Sequence, residues 1–185
     1  MMSFQYFVLL FFIWLQPNQP KNSFTDVRDG QQYQSIQIGQ QNWMAENLKY
    51  RIEGSTCYDN HPFPCRRYGR LYVWESLEFA CPEGWRVPTD KDWNRLYRYL
   101  GNNSIDAYAA LIKSGDSGFN AQFGGWLTQN ETFQHAGTRG YFWSATEKND
   151  ESARYYRLDK VNKAMTRDAT EKTIGFSCRC IKETD

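Results

Sequence analysis

At 185 residues the chain is long enough for one domain with its own hydrophobic core. Its 22 basic and 21 acidic residues are interspersed and leave a net charge of +1, which excludes a basic stripe for nucleic acid as well as an acidic tail or polybasic anchor. Aromatic residues make up 17%, enough to fill a core with few aliphatics or to furnish stacking platforms at a surface.

The chain opens with a nearly unbroken apolar run from Phe4 to Leu15, ended by Gln16-Pro17-Asn18-Gln19-Pro20. A run of about a dozen residues is shorter than the roughly 18 of a membrane-spanning helix and matches a signal-peptide core. Residues 1–16 are therefore expected to be a signal peptide or N-terminal hydrophobic leader. An uncleaved anchor is the alternative, because no Lys or Arg precedes the run and no small-x-small cleavage site follows it. Residues 17–25 read as a polar lead-in and residues 26–185 as a single domain. The expected location is secreted, periplasmic or cell-surface, with no membrane span after leader removal.

Gln34–Ile38 alternates polar and apolar residues like a half-buried strand, and Gly39-Gln40 offers a turn into a return strand over Gln41–Met44. Arg70–Val73 is strand-like and leads into a short helical stretch with Trp74, Leu77 and Glu78. The clearest helix follows. Thr89 is placed as its N-cap with Asp92 three residues on, and Trp93, Leu96, Tyr97 and Leu100 form one apolar face ended by Gly101. A second, shorter helix is expected over Ile105–Lys113, capped by Ser104. Residues 115–140, rich in glycine, aromatic and polar residues without helical period, read as a long irregular loop region. Strands are then expected over Tyr141–Thr146, Ala153–Leu158 and Gly175–Ile181, with a further one over Lys163–Arg167. This order predicts an α+β domain with antiparallel sheets.

In an exported chain the five cysteines, Cys57, Cys65, Cys81, Cys178 and Cys180, read as disulfides with one thiol left over. Proximity favours Cys57–Cys65. Cys81 then faces Cys178 or Cys180, and sequence does not decide between them. The working assignment takes Cys180 as its partner and Cys178 as the free thiol.

Several motifs carry a resemblance. They are Ile38-Gly39-Gln40-Gln41-Asn42-Trp43-Met44-Ala45-Glu46-Asn47-Leu48, Tyr68-Gly69-Arg70-Leu71-Tyr72-Val73-Trp74 and Cys81-Pro82-Glu83-Gly84-Trp85-Arg86-Val87-Pro88-Thr89. Near the end stand Gly140-Tyr141-Phe142-Trp143-Ser144-Ala145-Thr146 and Gly175-Phe176-Ser177-Cys178-Arg179-Cys180. In that order and spacing they resemble the Fibrobacter succinogenes major paralogous domain, a bacterial extracytoplasmic family. Trp85–Thr89 with Asp92-Trp93, and the Gly175–Cys178 strand, are also similar to formylglycine-generating enzymes. The wider resemblance implies a C-type-lectin-like domain with short antiparallel sheets, one or two helices and a long loop region.

That resemblance also frames the chemistry. The oxidases bind copper with thiols upstream of their Gly-Phe strand, whereas residues 155–174 of this chain contain no cysteine. A redox enzyme using Cys178 or Cys180 is the alternative reading, and a purely structural surface protein is another. His61 and His135 lack metal-ligand spacing, and no EF-hand loop, phosphate loop or nucleophile elbow occurs. No metal or cofactor is expected. On the implied scaffold ligands meet the 115–140 region, where Trp126, Asn130, His135 and Arg139 combine a ring face with polar donors suited to a sugar or protein surface. The sequence reading is a non-enzymatic binding domain whose partner is a glycan or a surface protein.

Overall fold

The computed structural model describes residues 22–183. The apolar leader and residues 17–21 of the lead-in lie outside the described residues. The remaining lead-in residues are already part of the fold: Asn22–Thr25 form strand β1, antiparallel to β2, Gln32–Ile38. Buried and exposed residues alternate along most of β2, as its sequence requires. Gly39, at φ +58, then turns the chain into β3, Gln41–Met44.

Strand β4 is Ser55–Thr56 and helix α1 is Pro62–Tyr68. The sequence reading did not anticipate this helix. Its signals are nonetheless local: His61 accepts a bond from the Phe63 amide, Pro62 supplies a preset first turn, and Cys57–Cys65 staples the helix to the segment before it. Strand β5, Leu71–Tyr72, leads to a 3-10 turn over Trp74–Phe79, and β6 is Trp85–Arg86.

Helix α2, Asp90–Tyr99, has the expected start. The Thr89 hydroxyl accepts from the Asp92 amide, and the Asp92 carboxylate accepts from the Thr89 amide at 2.8 Å. Arg86 grips the same carboxylate through two nitrogens at 2.7 and 3.1 Å. Helix α3 is Ser104–Leu111, and its cap is Asn103 rather than Ser104. Asn103 has extended backbone angles and accepts from the amides of Ile105 and Asp106, whereas Ser104 spends its hydroxyl on the Met165 carbonyl.

The region expected as loop from 115 to 140 contains a hairpin, β7 Gly124–Leu127 with β8 Phe133–Ala136, and the start of β9, Arg139–Glu147. Gly125 sits at φ +67, and a Cβ there would run into the β8 backbone at Gln134 and Ala136. Glycine is what lets the two strands close, while it also erases the alternation that would have announced them. Strands β10, Ser152–Asp159, and β11, Ala164–Glu171, complete a long meander, followed by β12, Phe176–Ser177, and β13, Ile181–Lys182.

Two sheets result. One runs β1-β2-β3-β13-β6, the other β11-β10-β9-β12-β5-β4. They are not wholly antiparallel: β12 lies parallel to β9, and so does β7. The segment 176–182 thus enters the interior of both sheets. Mixed α+β, mostly sheet, describes the architecture.

Two aromatic cores hold these layers together. Beneath α2 and α3, Trp93 lies against Tyr156, with ring centroids 4.9 Å apart, and also meets Trp43, Phe119 and Phe142. In the second core Phe176 stacks on Tyr141 at 4.9 Å and meets Trp143, and Tyr72 and Leu48 belong to the same cluster. Burying each large ring contributes up to about 3 kcal/mol. Cys81–Cys180 ties this core to the last strand, and Cys178 is the free thiol. Both disulfides are those of the working assignment.

Candidate functional site

The site is built around one side chain of the link between the last two strands. Between β12 and β13, Cys178 and Cys180 point into the second core. Arg179 is fully buried elsewhere, with its guanidinium 4.2 Å from the Phe119 ring centroid. Its donors reach Asn47 Oδ1 at 2.6 Å, Gln122 Oε1 at 2.9 Å and the Met44 carbonyl at 3.1 Å, together with the Phe119 carbonyl. Every one of these partners is neutral. Burial pushes the guanidinium down to about 9, against the opposing charge of Glu46, so at neutral pH Arg179 is still a cation. Five directed donors on one planar group fasten the 119–122 loop to the turn at 44–47.

These two segments are walls of a cleft of about 820 Å³. Rings of Tyr68, Tyr108 and Phe123 line it, beside the amides of Gln34, Asn120 and Gln122. Gln122 is already committed: its oxygen accepts from the Asn47 amide at 2.9 Å and from Arg179, and its nitrogen donates to the Asn120 carbonyl at 2.5 Å. The side-chain amides of Gln34 and Asn120 form no hydrogen bond among the described residues. Asn120 is held at φ +59, a conformation asparagine tolerates better than most residues. Glu46, on the same wall, is engaged by Lys49 at 2.6 Å. Arg67, Lys113 and Lys160 complete the lining. The arrangement offers ring faces, donors and cations, which is equipment for holding a ligand.

The four residues singled out in the sequence do not converge. Trp126 is half-buried, stacked over Tyr141 at 5.8 Å and near Phe176 at 6.0 Å, with its indole nitrogen buried and unpartnered. Asn130 lies in the exposed turn between β7 and β8. His135 and Arg139 do meet, with His135 Nε2 3.2 Å from Arg139 Nη1. Arg139 in turn pairs with buried Asp159 at 2.8 Å. The other oxygen of Asp159 accepts from the amides of Val161 and Asn162, and the Lys160 amide donates to the Thr138 carbonyl. His135 and Arg139 therefore brace the rim of the cleft where Gly137 and Lys160 line it. Arg139 positions this turn rather than presenting a free guanidinium.

The residues that sequence reasoning missed are Tyr68, Tyr108, Asn120, Phe123 and the three cations. They come from separate segments between 67 and 160, so no local motif joins them. The one available signal was Arg179, a charged residue set between two cysteines in a strand otherwise destined for the core.

Cys178 lies 4.0 Å from Cys81 Sγ and 3.9 Å from Cys180 Sγ. It is fully buried, and burial pushes its thiol up to about 12 despite the neighbouring Arg179. A thiol so protonated and sealed is a poor nucleophile at neutral pH. This weighs against the redox alternative.

Among the described residues no helix is long and apolar enough to cross a membrane. A family model described as the Fibrobacter succinogenes major domain matches residues 36–182. No curated protein and no solved structure matches the chain.

Proposed function

We propose, from the premise that the chain belongs to the Fibrobacter succinogenes major domain family, that it is an exported binding domain that holds a glycan in the cleft beside Arg179. The observation that carries the reading is the pairing of half-buried rings that line the cleft with unengaged amides. Tyr68 and Phe123 stand beside Gln34 and Asn120 on walls made rigid from beneath. Sugars are bound through just this combination, since a pyranose has an apolar face for stacking and a rim of hydroxyls for hydrogen bonds. Two disulfides suit the oxidising compartment to which a leader over residues 1–16 would deliver the domain, whether secreted, periplasmic or cell-surface. The reading rests on the cleft and not on a lectin-like scaffold.

A glycan array probed with the full chain tests this, with Tyr68→Ala and Trp126→Ala compared after their melting curves have been matched to the parent. Binding lost in Tyr68→Ala and kept in Trp126→Ala is the expected result. Absence of any bound glycan would remove the reading. Loss with Trp126→Ala alone would move the site to the β7–β8 hairpin.

A further inference from the structure

Charge in the cleft is one-sided. Arg67, Lys113 and Lys160 line it and are exposed, and none of them forms an ion pair among the described residues. The nearest engagement is the Arg67 guanidinium over the Tyr68 ring, 5.0 Å from its centroid, which leaves the charge unneutralised. Glu46 is the carboxylate of the opposite sign on the wall, and Lys49 holds it at 2.6 Å. Below the floor sits Arg179, whose hydrogen-bond partners are all neutral, so its charge is uncompensated by a contact carboxylate. Arg28, Arg86, Arg139 and Arg167 each have an aspartate at 2.6 to 2.8 Å, and what sets the cleft apart from the other unpaired surface cations is that three of them face one concavity. Three exposed cations without a carboxylate partner among the described residues thus line one concave place. A concave surface with walls of low dielectric concentrates that field and raises the local concentration of counter-ions.

Resting on the glycan reading above, we infer that the ligand of this cleft is an anionic polysaccharide, whose carboxylate or sulfate groups meet Arg67, Lys113 and Lys160 while a sugar face lies on Tyr68. Charge alone would serve any polyanion. The ring beside the cations is what favours a sugar over an acidic peptide, because stacking on Tyr68 needs a flat apolar ligand face. Carboxylate and sulfate both fit an ammonium or guanidinium, and the choice between them is left to the probes.

The experiment measures binding of the full chain to polygalacturonate, dextran sulfate, uncharged dextran and poly-L-glutamate at low and moderate salt. It is repeated with a Lys113→Glu, Lys160→Glu double variant. Both positions are exposed, and neither side chain has a hydrogen bond to lose. The expected result is preference for polygalacturonate or dextran sulfate over dextran and poly-L-glutamate. The double variant should bind at least about tenfold more weakly, since each charged hydrogen bond lost accounts for roughly that factor. Rising salt should weaken the parent more than the variant. Equal binding of dextran and its sulfate, unaffected by the double variant, would overturn the anionic assignment and leave glycan binding standing. Equal binding of poly-L-glutamate and the anionic glycans would overturn it in favour of an acidic protein partner. Failure of every probe, on the array as well as here, would take the glycan reading down with it.

Discussion

The three sulfurs at the end of the chain allow a quantitative comparison. Cys81 is bonded to Cys180, yet Cys178 Sγ stands only 4.0 Å from Cys81. Replacing Cys180 by alanine therefore leaves a second thiol within reach, and oxidation re-forms the tie as Cys81–Cys178. Replacing Cys81 leaves Cys178 and Cys180 with only each other, 3.9 Å apart and two residues apart in sequence, and no long-range tie can form. The native bridge spans 99 residues and the substitute would span 97. On the chain-entropy relation a loop of this size is worth about 4.7 kcal/mol, and shortening it by two residues changes that by well under ~0.1 kcal/mol. Cys81→Ala should thus lose most of about 4.7 kcal/mol in urea unfolding. Cys180→Ala should lose only the repacking cost of a small buried side chain, about 1 kcal/mol. Alkylation in denaturant followed by mass measurement and peptide mapping reads the pairing directly: one thiol in the parent, none in Cys180→Ala with Cys81 bridged to Cys178, and in Cys81→Ala no long-range bridge, only free or mutually paired Cys178 and Cys180. Without denaturant the parent thiol should stay unlabelled. Two free thiols in Cys180→Ala, with a stability loss equal to that of Cys81→Ala, would refute the argument from sulfur proximity.

Arg179→Met keeps side-chain length but removes the donors of Asn47 Oδ1, Gln122 Oε1 and two carbonyls. At about 1–3 kcal/mol for each stranded acceptor, a loss of more than about 3 kcal/mol is expected in urea unfolding. Lysine should not restore it, for want of the planar fork. Acid provides a separate test through Asp92. Burial by itself would raise this carboxyl, but hydrogen bonds from Arg86 and Thr89 outweigh burial and hold it below its ordinary value of 3.8. A depressed carboxyl stabilises the fold above the unfolded-state pKa of about 3.9, and the contribution fades as pH falls through the folded value. Melting temperature should therefore stay level from neutral pH to about 5 and drop below about 4. Asp92→Asn should melt lower at pH 7 by the equivalent of about 1–3 kcal/mol, and show a shallower acid slope. Parallel slopes in parent and variant would count against the assignment.

Elements specified by neighbouring residues were legible in the sequence. Helix α2 carries its cap, its apolar face and its terminating glycine within about a dozen positions, and β2 and β3 carry alternation and a glycine turn. The hairpin in the supposed loop was not legible, because Gly125 makes room for β8, Gly124 lies against Ser177 and Tyr68, and the pair removes the pattern of a strand. Asn103 displaced Ser104 as the α3 cap because a distant strand claimed the serine hydroxyl. The cleft residues were hidden for a related reason. Trp126 has the chemistry of a platform but lies against Tyr141 and Phe176, while Tyr68, Asn120 and Lys160 come together only through long-range contacts: Arg179 to the Asn120 loop, Asn47 to Tyr68, and Arg139 to the Asp159 turn.

The position of residues 176–182 inside both sheets also bears on how the domain comes into being. β12 closes the gap between β9 and β5, and β13 the gap between β3 and β6. Until that segment emerges, β5 and β6 have no route to the strands they complete, and the partners of Arg179 have no donor. Such long-range closure makes folding slow and late compared with a chain of local contacts. The Cys81–Cys180 bridge, 99 residues long, belongs to the same late event: its two sulfurs meet only once the last segment has entered the sheets, and the bond then locks that closure.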